Sequence, residues 1–498
     1  MVARVITAVT VGFDGQLVTV ECDMTKGLPA FNIVGLADKS VNEAKERVRA
    51  AITNSELTFP AKRITINLAP ANLNKEGSHF DLPIAVAILV ASGQLRNENM
   101  KGVLLAGELS LNGELRPIRG ALSLAECARQ NGYETIILPV ENAVQAALLD
   151  NLNVVGATTL TDVILHLLGE KVIAPTIQSV VENTCSGAPS IDDIRGQESA
   201  KRALTIAAAG HHNLLFTGPP GAGKTMLART LPGLLPPLTP DEIFEITKIY
   251  SLAGEADDVI ATRPFRAPHH TASFVALIGG GSKVKPGEIS LAHHGVLFLD
   301  EIPEFPRTSL EALRQPLEDR VVHIARASGR VAYPAHFMLV ATMNPCPCGY
   351  YGDTKHECSC TQQQILLYQK RLSGPLLDRI DMIIPVARVP REKLFADKTA
   401  SEKPQADKWR KQIEQARAAQ VQRQKRPNSA LTNKQLEKFA ALDPETKDLL
   451  TSAADRLNLS ARSYFKTLRV ARTIADLNGH DQITTADIAE ALQYRQQN

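Results

Sequence analysis

The stretch Asn213-Leu214-Leu215-Phe216-Thr217-Gly218-Pro219-Pro220-Gly221-Ala222-Gly223-Lys224-Thr225 constrains this chain most. A short apolar run enters G-x-x-x-x-G-K-[ST] and leaves it in the helical pattern Met226-Leu227-Ala228-Arg229. The run reads as a buried strand that aims a turn. Its glycines let bare amides approach an anion, Lys224 reaches terminal phosphates, and the Thr225 hydroxyl suits Mg²⁺. Gly218, Pro219, Pro220, Gly221, Ala222, Gly223, Lys224 and Thr225 are therefore expected to hold the phosphates of a nucleotide. A second apolar run, Gly295-Val296-Leu297-Phe298-Leu299, ends in Asp300-Glu301. Strands buried in a parallel sheet read as continuous apolar runs, and acids at the end of one would sit beside the phosphate loop. Asp300 is then the second expected Mg²⁺ partner, and Glu301 the group that orients and polarises attacking water. Such a run ending in Asp-Glu says little alone; its pairing with an upstream phosphate loop carries the reading. Phe337 to Pro345 is a further strand pattern that ends on Asn344, which would help position water near the γ-phosphate. The competing reading of Asn344 is an asparagine turn before proline.

At 498 residues the chain has room for about three domains. Its net charge of +2 comes from 55 basic and 53 acidic residues, so any nucleic-acid surface must be local. No signal-peptide pattern and no apolar run near the length of a membrane span is present, and a soluble, cytoplasmic protein without a membrane partner is expected. Cys22, Cys127 and Cys185 are scattered, whereas Cys346, Cys348, Cys358 and Cys360 crowd together. In a reducing compartment such a cluster points to metal more than to disulfides. Two short hooks of thiolates suffice for tetrahedral Zn²⁺, although the spacing is not the common C-x₂-C. Four reduced cysteines in a loop is the competing reading. His269, His270, His293 and His294 do not make a metal site by spacing, because neighbours at i and i+1 point differently on any regular element.

Residues 1–170 mix strand and helix patterns. Val5 to Val20 alternates around Asp14-Gly15, a hairpin signal; Ala37 to Thr53 has helical spacing; Arg63 to Leu68 returns to strand; and Asp81 to Val90 is helix-like. The segments Pro70 to Gly77, Gly107 to Ile118 and Ile137 to Asn142 resemble the proteolytic domain of Lon-type proteases, which implies a ribosomal-S5-like α+β fold. That family carries a serine nucleophile and a lysine where this chain has His79 and Leu122. A Ser/Lys dyad needs both hydroxyl and amine, so an inactive scaffold is expected, with Ser78 the one neighbouring hydroxyl. Residues 171–190 read as a linker.

Residues 191–390, with the phosphate loop, Asp300-Glu301 and Asn344, resemble the core of AAA+ ATPases built on a parallel sheet, and 391–498 their helical lid. The resemblance implies that Ile194 and Gln197 lie in the segment that touches adenine and that Asn344 is sensor 1. It also implies that Arg379, in Gly374-Pro375-Leu376-Leu377-Asp378-Arg379, is an arginine finger for a neighbouring subunit's ATP, and that Arg462 is sensor 2, reaching the γ-phosphate from the lid. Phe265 to Ser273, Gly287 to Gly295 and Asp378 to Asp381 resemble the magnesium-chelatase ATPase subunit. With the Lon-like front and the cysteine cluster added, the whole chain resembles the YifB/ComM family. That resemblance implies an ATP- and Mg²⁺-dependent homo-hexamer driving DNA branch migration in natural transformation. Single-stranded or branched DNA and recombination proteins would then be its partners. Lys283 and Lys285 belong to a glycine-rich basic loop suited to a central pore, and Arg326 and Arg330 flank the turn of an alternating hairpin that would face DNA. A solvated hairpin tip is the competing reading for either arginine, and the basic run from Lys393 to Arg426 reads first as an exposed helix. Two other functions stay open. One is a protein-remodelling ATPase of magnesium-chelatase type, acting on a partner and a porphyrin. The other is a protease regulator or binding module.

Overall fold

The computed structural model describes residues 2–36, 38–177, 188–256, 258–281, 284–326, 329–353, 355–389 and 405–495. The expectations placed on Lys283, on the side chain of Arg326 and on 393–404 lie outside the described residues. The chain forms two compact units, one of Met1–Glu182, Pro240–Ala261 and Ala325–Tyr333, the other of Asn183–Thr239, Thr262–Ile324 and Pro334–Asn498.

In the first unit seven strands make one mixed sheet in the order Ala30–Val34, Arg63–Ala69, Asp14–Thr25, Ala3–Val11, Val103–Leu105, Thr135–Pro139, Asn153–Ala157. This is the α+β fold expected of the front segment. The first hairpin turns two residues earlier than its sequence signal: Val11 pairs with Asp14, so the turn is Gly12–Phe13 and not Asp14–Gly15. A two-residue hairpin turn of the favoured hand needs a left-handed first residue, and Gly12 supplies it at φ +65°. Helix Lys39–Asn54 starts where the Asp38 carboxylate accepts from the Val41 amide at 2.8 Å, an N-cap of the preferred type. Helix Asp81–Ser92 is apolar on every side after its first residue and is buried from Asp81 to Leu89, as a helix without a polar face must be.

Helix Pro240–Ala253 lies between the phosphate loop and Asp300 in sequence, yet it packs in the first unit. Its Lys248 is 1% exposed. The ammonium meets the Glu126 carboxylate at 2.5 Å and stands 3.8 Å from the centre of the Phe13 ring, and the Ser251 hydroxyl accepts from the Gly120 amide at 3.2 Å.

In the second unit five parallel strands run in the order Phe265–Arg266, Val296–Leu299, Met338–Met343, Leu214–Thr217, Met382–Pro385. The continuous apolar runs in the sequence are these strands. Leu214 and Phe216 face a core that includes Val296, Phe298, Met338, Val340, Met382 and Ile384. Asn213, just before the central strand, fixes it to both neighbours. Its side-chain carbonyl accepts from the Leu339 amide at 2.9 Å, its side-chain amide donates to the Arg379 carbonyl at 2.9 Å, and its backbone amide donates to the Asp381 carboxylate at 2.9 Å. The same core takes in Ile413 and Ala416 of helix Ala406–Gln424 and Val470, Ala471 and Ile474 of helix Ala461–Asn478. The segment read as a lid after residue 390 therefore shares its hydrophobic interior with the sheet.

Breaking a buried ion pair by removing one partner costs about 3–5 kcal/mol when both ends are dry. Glu126 keeps some solvent, so Lys248→Ala is expected to destabilise the first unit by about 2–3 kcal/mol. Urea unfolding should also find the Lys248→Ala/Glu126→Ala pair less than additive; additive losses would deny the interaction.

Candidate active site

The C-terminal ends of three adjacent parallel strands carry the site. Leu214–Thr217 leads into Gly218 and the phosphate loop, Val296–Leu299 into Asp300-Glu301, and Met338–Met343 into Asn344. Lys224 is buried; its ammonium donates to the carbonyls of Gly218 and Pro219, the latter at 3.0 Å, and to the Asn344 side-chain oxygen at 3.0 Å. Burial pushes its pKa down, and Asp300 and Glu301 partly restore it. The Thr225 hydroxyl donates to one oxygen of Asp300 at 3.2 Å, and Asn344 donates its side-chain amide to Glu301 at 3.3 Å. Lys224, Thr225, Asp300, Glu301 and Asn344 are thus one connected group. A hydroxyl beside a carboxylate is the hard-oxygen pair that Mg²⁺ takes when most of its shell is water and phosphate, so the residues present fit Mg²⁺-nucleotide.

Ile194 lies in the core with Ala222, and Gln197 donates its side-chain amide to the carbonyls of Ala222 at 3.2 Å and Ala387 at 2.5 Å. Gln197 is therefore joined to the phosphate loop, and Ile194 is buried in the same unit's core.

Thr342 is a site residue that the motifs do not reveal. Its buried hydroxyl donates to the other oxygen of Asp300 at 2.5 Å and accepts from the Glu301 backbone amide at 2.9 Å. Glu301 sits at φ +51°, ψ +53°, left-handed for a residue with a side chain. Such a conformation costs on the order of 1–3 kcal/mol and persists where neighbours impose it. One hydroxyl thus fixes both acids. The available signal was a lone polar side chain inside the apolar run Met338 to Met343.

Arg379 and Arg462 are not brought to this group. Arg379 meets Glu318 at 2.8 Å and donates to the Arg314 carbonyl at 3.0 Å, and Arg462 shares the same Glu318 oxygen. Burial raises the Glu318 pKa, but the two arginines outweigh it and the carboxyl is held below its ordinary value. Asn213, Glu318, Asp378, Arg379, Arg462 and Lys466 line one cavity of about 520 Å³, which contains none of the phosphate loop. Asn213 marks the opposite end of the central strand from Gly218. Beside it Asp381 is held down at about 2: burial opposes ionisation, and His212, Lys466 and the Asn213 amide overcome it.

Cys346, Cys348, Cys358 and Cys360 converge with all four sulfurs within 4.8 Å of one another. Among Cys346, Cys348 and Cys358 the sulfurs stand 3.3, 3.5 and 3.7 Å apart. Tetrahedral zinc with Zn–S of about 2.3 Å places sulfurs about 3.8 Å apart, so the donor set fits a thiophilic divalent ion. Of the residues expected at DNA, Lys285 and Arg330 are exposed. Lys285 belongs to the short strand Lys285–Pro286, paired with Gly279–Gly280.

In the first unit the Lon-like positions make no dyad. His79 is buried and donates Nε2–H to the Ala8 carbonyl at 3.0 Å, Leu122 is part of a buried apolar cluster with Ala8, and the Ser78 hydroxyl bonds to the Glu108 carboxylate. The ammonium of Lys75, also buried, bonds to the Pro70 carbonyl.

Profiles of the magnesium-chelatase family match three stretches: magnesium chelatase subunit ChlI at 190–394, the ChlI subunit at 20–142, and the ChlI C-terminal region at 403–495. The chain is 46% identical over 499 residues to competence protein ComM of Haemophilus influenzae, covering 99% of this chain and 97% of the relative. It is 44% identical over 497 residues to YifB of Salmonella typhimurium, with 99% and 97% covered. A partial likeness, 31% identical over 152 residues and 29% of this chain, links it to the Holliday junction branch migration complex subunit RuvB of Enterococcus faecalis, of which it covers 36%.

Two outcomes follow from this geometry. Thr342→Val should raise the Mg²⁺ needed for half-maximal ATP turnover about tenfold, the worth of one hydrogen bond to a charged group, and Thr342→Ser should restore it; an unchanged Mg²⁺ titration would count against the hydroxyl's role. Burial lowers the His79 pKa from 6.5 to about 4, with the Ala8 carbonyl opposing. A base with a depressed folded pKa lends stability that is complete above its ordinary pKa and lost as pH falls towards the folded one. The first unit should therefore lose about 3 kcal/mol between pH 6.5 and 4, and His79→Gln should flatten that limb in pH-dependent denaturation.

Proposed function

This chain belongs to the YifB/ComM family of magnesium-chelatase-like AAA+ ATPases, and on that premise we propose that it is a homo-hexameric motor that couples ATP hydrolysis to movement on single-stranded or branched DNA. One observation carries the oligomeric part. Lys224, Thr225, Asp300, Glu301 and Asn344 gather at one end of the central strand, while Arg379 and Arg462 gather at Glu318 by the other end. A chain so built supplies the phosphate side of one site and the arginine side of a neighbour's. Arg462, expected to reach a γ-phosphate from the lid, would on this reading act in the next subunit together with Arg379.

Within each shared site Lys224 neutralises the terminal phosphates, and Asn344 aligns the water that Glu301 polarises. As the water oxygen closes on the γ-phosphorus, Glu301 takes its proton and the bond to the β-phosphate oxygen breaks. Thr225 and Asp300 would hold Mg²⁺, which would supply positive charge against the nucleotide's phosphates. Arg379 and Arg462, released from Glu318, stabilise the charge of the transition state. Cys346, Cys348, Cys358 and Cys360 would hold Zn²⁺. The names of two relatives, a competence protein and a branch-migration subunit, support DNA as the track, with recombination proteins as partners. Lys285 and Arg330 are the exposed cations proposed to meet its phosphates.

The three chelatase-family matches favour a second reading, a motor that remodels a protein partner. DNA stimulation of ATPase activity and migration of a synthetic branched duplex separate the two; robust ATP turnover indifferent to DNA would select the second. Arg379→Ala should bind ATP normally and lose about 10³-fold or more in turnover, the scale of arginine fingers elsewhere. Near-normal turnover in that variant would refute the shared site.

A further inference from the structure

The four-cysteine site is built into the catalytic loops. Two residues after Asn344 the chain enters Cys346, and the Cys348 amide donates to Cys360 Sγ at 3.4 Å, closing one hook on the other. Helix Gln362–Gln369 then leads straight back: Gln369 donates its side-chain amide to the Pro345 carbonyl at 3.2 Å, and the Tyr368 hydroxyl is hydrogen-bonded to the Asn344 backbone. At the tip of the first hook Gly349 is left-handed, φ +86°, and passes so close to the phosphate loop that a β-carbon there would stand 2.7 Å from Pro220 Cδ. On the far side Arg388 pairs with Asp353 at 3.4 Å and stacks over Tyr350.

A loop with two close approaches to catalytic backbone positions those groups only if it is itself rigid. Four thiols in irregular chain give little rigidity, whereas a tetrathiolate ion fixes both hooks at once. We infer that the metal bound by Cys346, Cys348, Cys358 and Cys360 is a strut for ATP hydrolysis, holding Asn344 and the Pro220 turn in register so that metal occupancy sets the rate of the chemical step. This rests on the reading of the chain as an ATPase with a zinc site. The supporting loop acts on Asn344 and Pro220 and does not touch the nucleotide, so Asn344 stays the catalytic residue and the cysteines position it.

The test uses the full-length protein. Metal analysis should find about one zinc per chain. Stripping with a mercurial and a chelator should cut ATP turnover by about tenfold or more, the usual scale for loss of a supporting shell, and added Zn²⁺ should restore it. Affinity for a fluorescent ATP analogue should fall by clearly less than turnover does, because the Pro220 turn meets bound phosphate whereas Asn344 serves the transition state. Gly349→Ala should keep its zinc, and the thiolate charge-transfer absorption after Co²⁺ exchange, yet lose turnover to a similar degree. That variant decides the matter if stripping unfolds the protein. Wild-type turnover in Gly349→Ala, or turnover unaltered in protein shown to have lost its zinc, overturns the inference and leaves the ATPase reading standing. Metal-loaded wild-type protein without ATP turnover defeats that reading, and the strut falls with it.

Discussion

Asn213 is the small contact on which the active site most depends. The strand it precedes is only four residues long, and a slip in pairing by one residue would turn every side chain of the strand to the other face. Asn213 uses both ends of its side-chain amide and its backbone amide to grip the two flanking strands. Fixed there, the strand delivers Gly218 level with Asn344, whose side chain joins the Lys224 ammonium to Glu301. The grip also fastens the carbonyl of Arg379, so the placement of that arginine and of the phosphate loop is set at a common point.

Electrostatics follows the same division. At one end, the buried Lys224 ammonium is held by the loop carbonyls of Gly218 and Pro219 and joined to Glu301 through the Asn344 side-chain amide. At the other, arginines outnumber the carboxylate they share. The acids stand at one end of the strand and the paired arginines at the other.

The parts of this arrangement legible in the sequence are those with a one-dimensional signature. Apolar runs that end on Gly218, Asp300 and Asn344 announced strands of a parallel sheet, because such strands are covered on both faces and need no alternation. The α+β character of the front was legible from its alternating segments. Thr342 was not, since its importance lies in two hydrogen bonds to acids that pairing brings alongside. The address of helix Pro240–Ala253 was not legible: a lysine on a helix is ordinarily solvated, and only Glu126, Phe13 and the surrounding burial make Lys248 an interior residue. The position of Arg462 escaped for a related reason. The cap and the helix that carry it are local facts, whereas the choice between phosphate loop and Glu318 is decided by how the lid packs into the sheet's core.

The excursion of Pro240–Ala261 has a consequence for how the protein can be taken apart. Severing the chain after residue 182 does not yield two self-sufficient modules. The front fragment would lack the helix that covers Phe13 and neutralises Glu126, and the remainder would carry a helix whose interior-facing Lys248, Ile246 and Ile249 have lost their surroundings. Gene fission at the linker, or loss of the front segment during evolution, would therefore demand that this helix be rewritten or deleted at the same time. The chain passes between the two units more than once, so no single cut separates them.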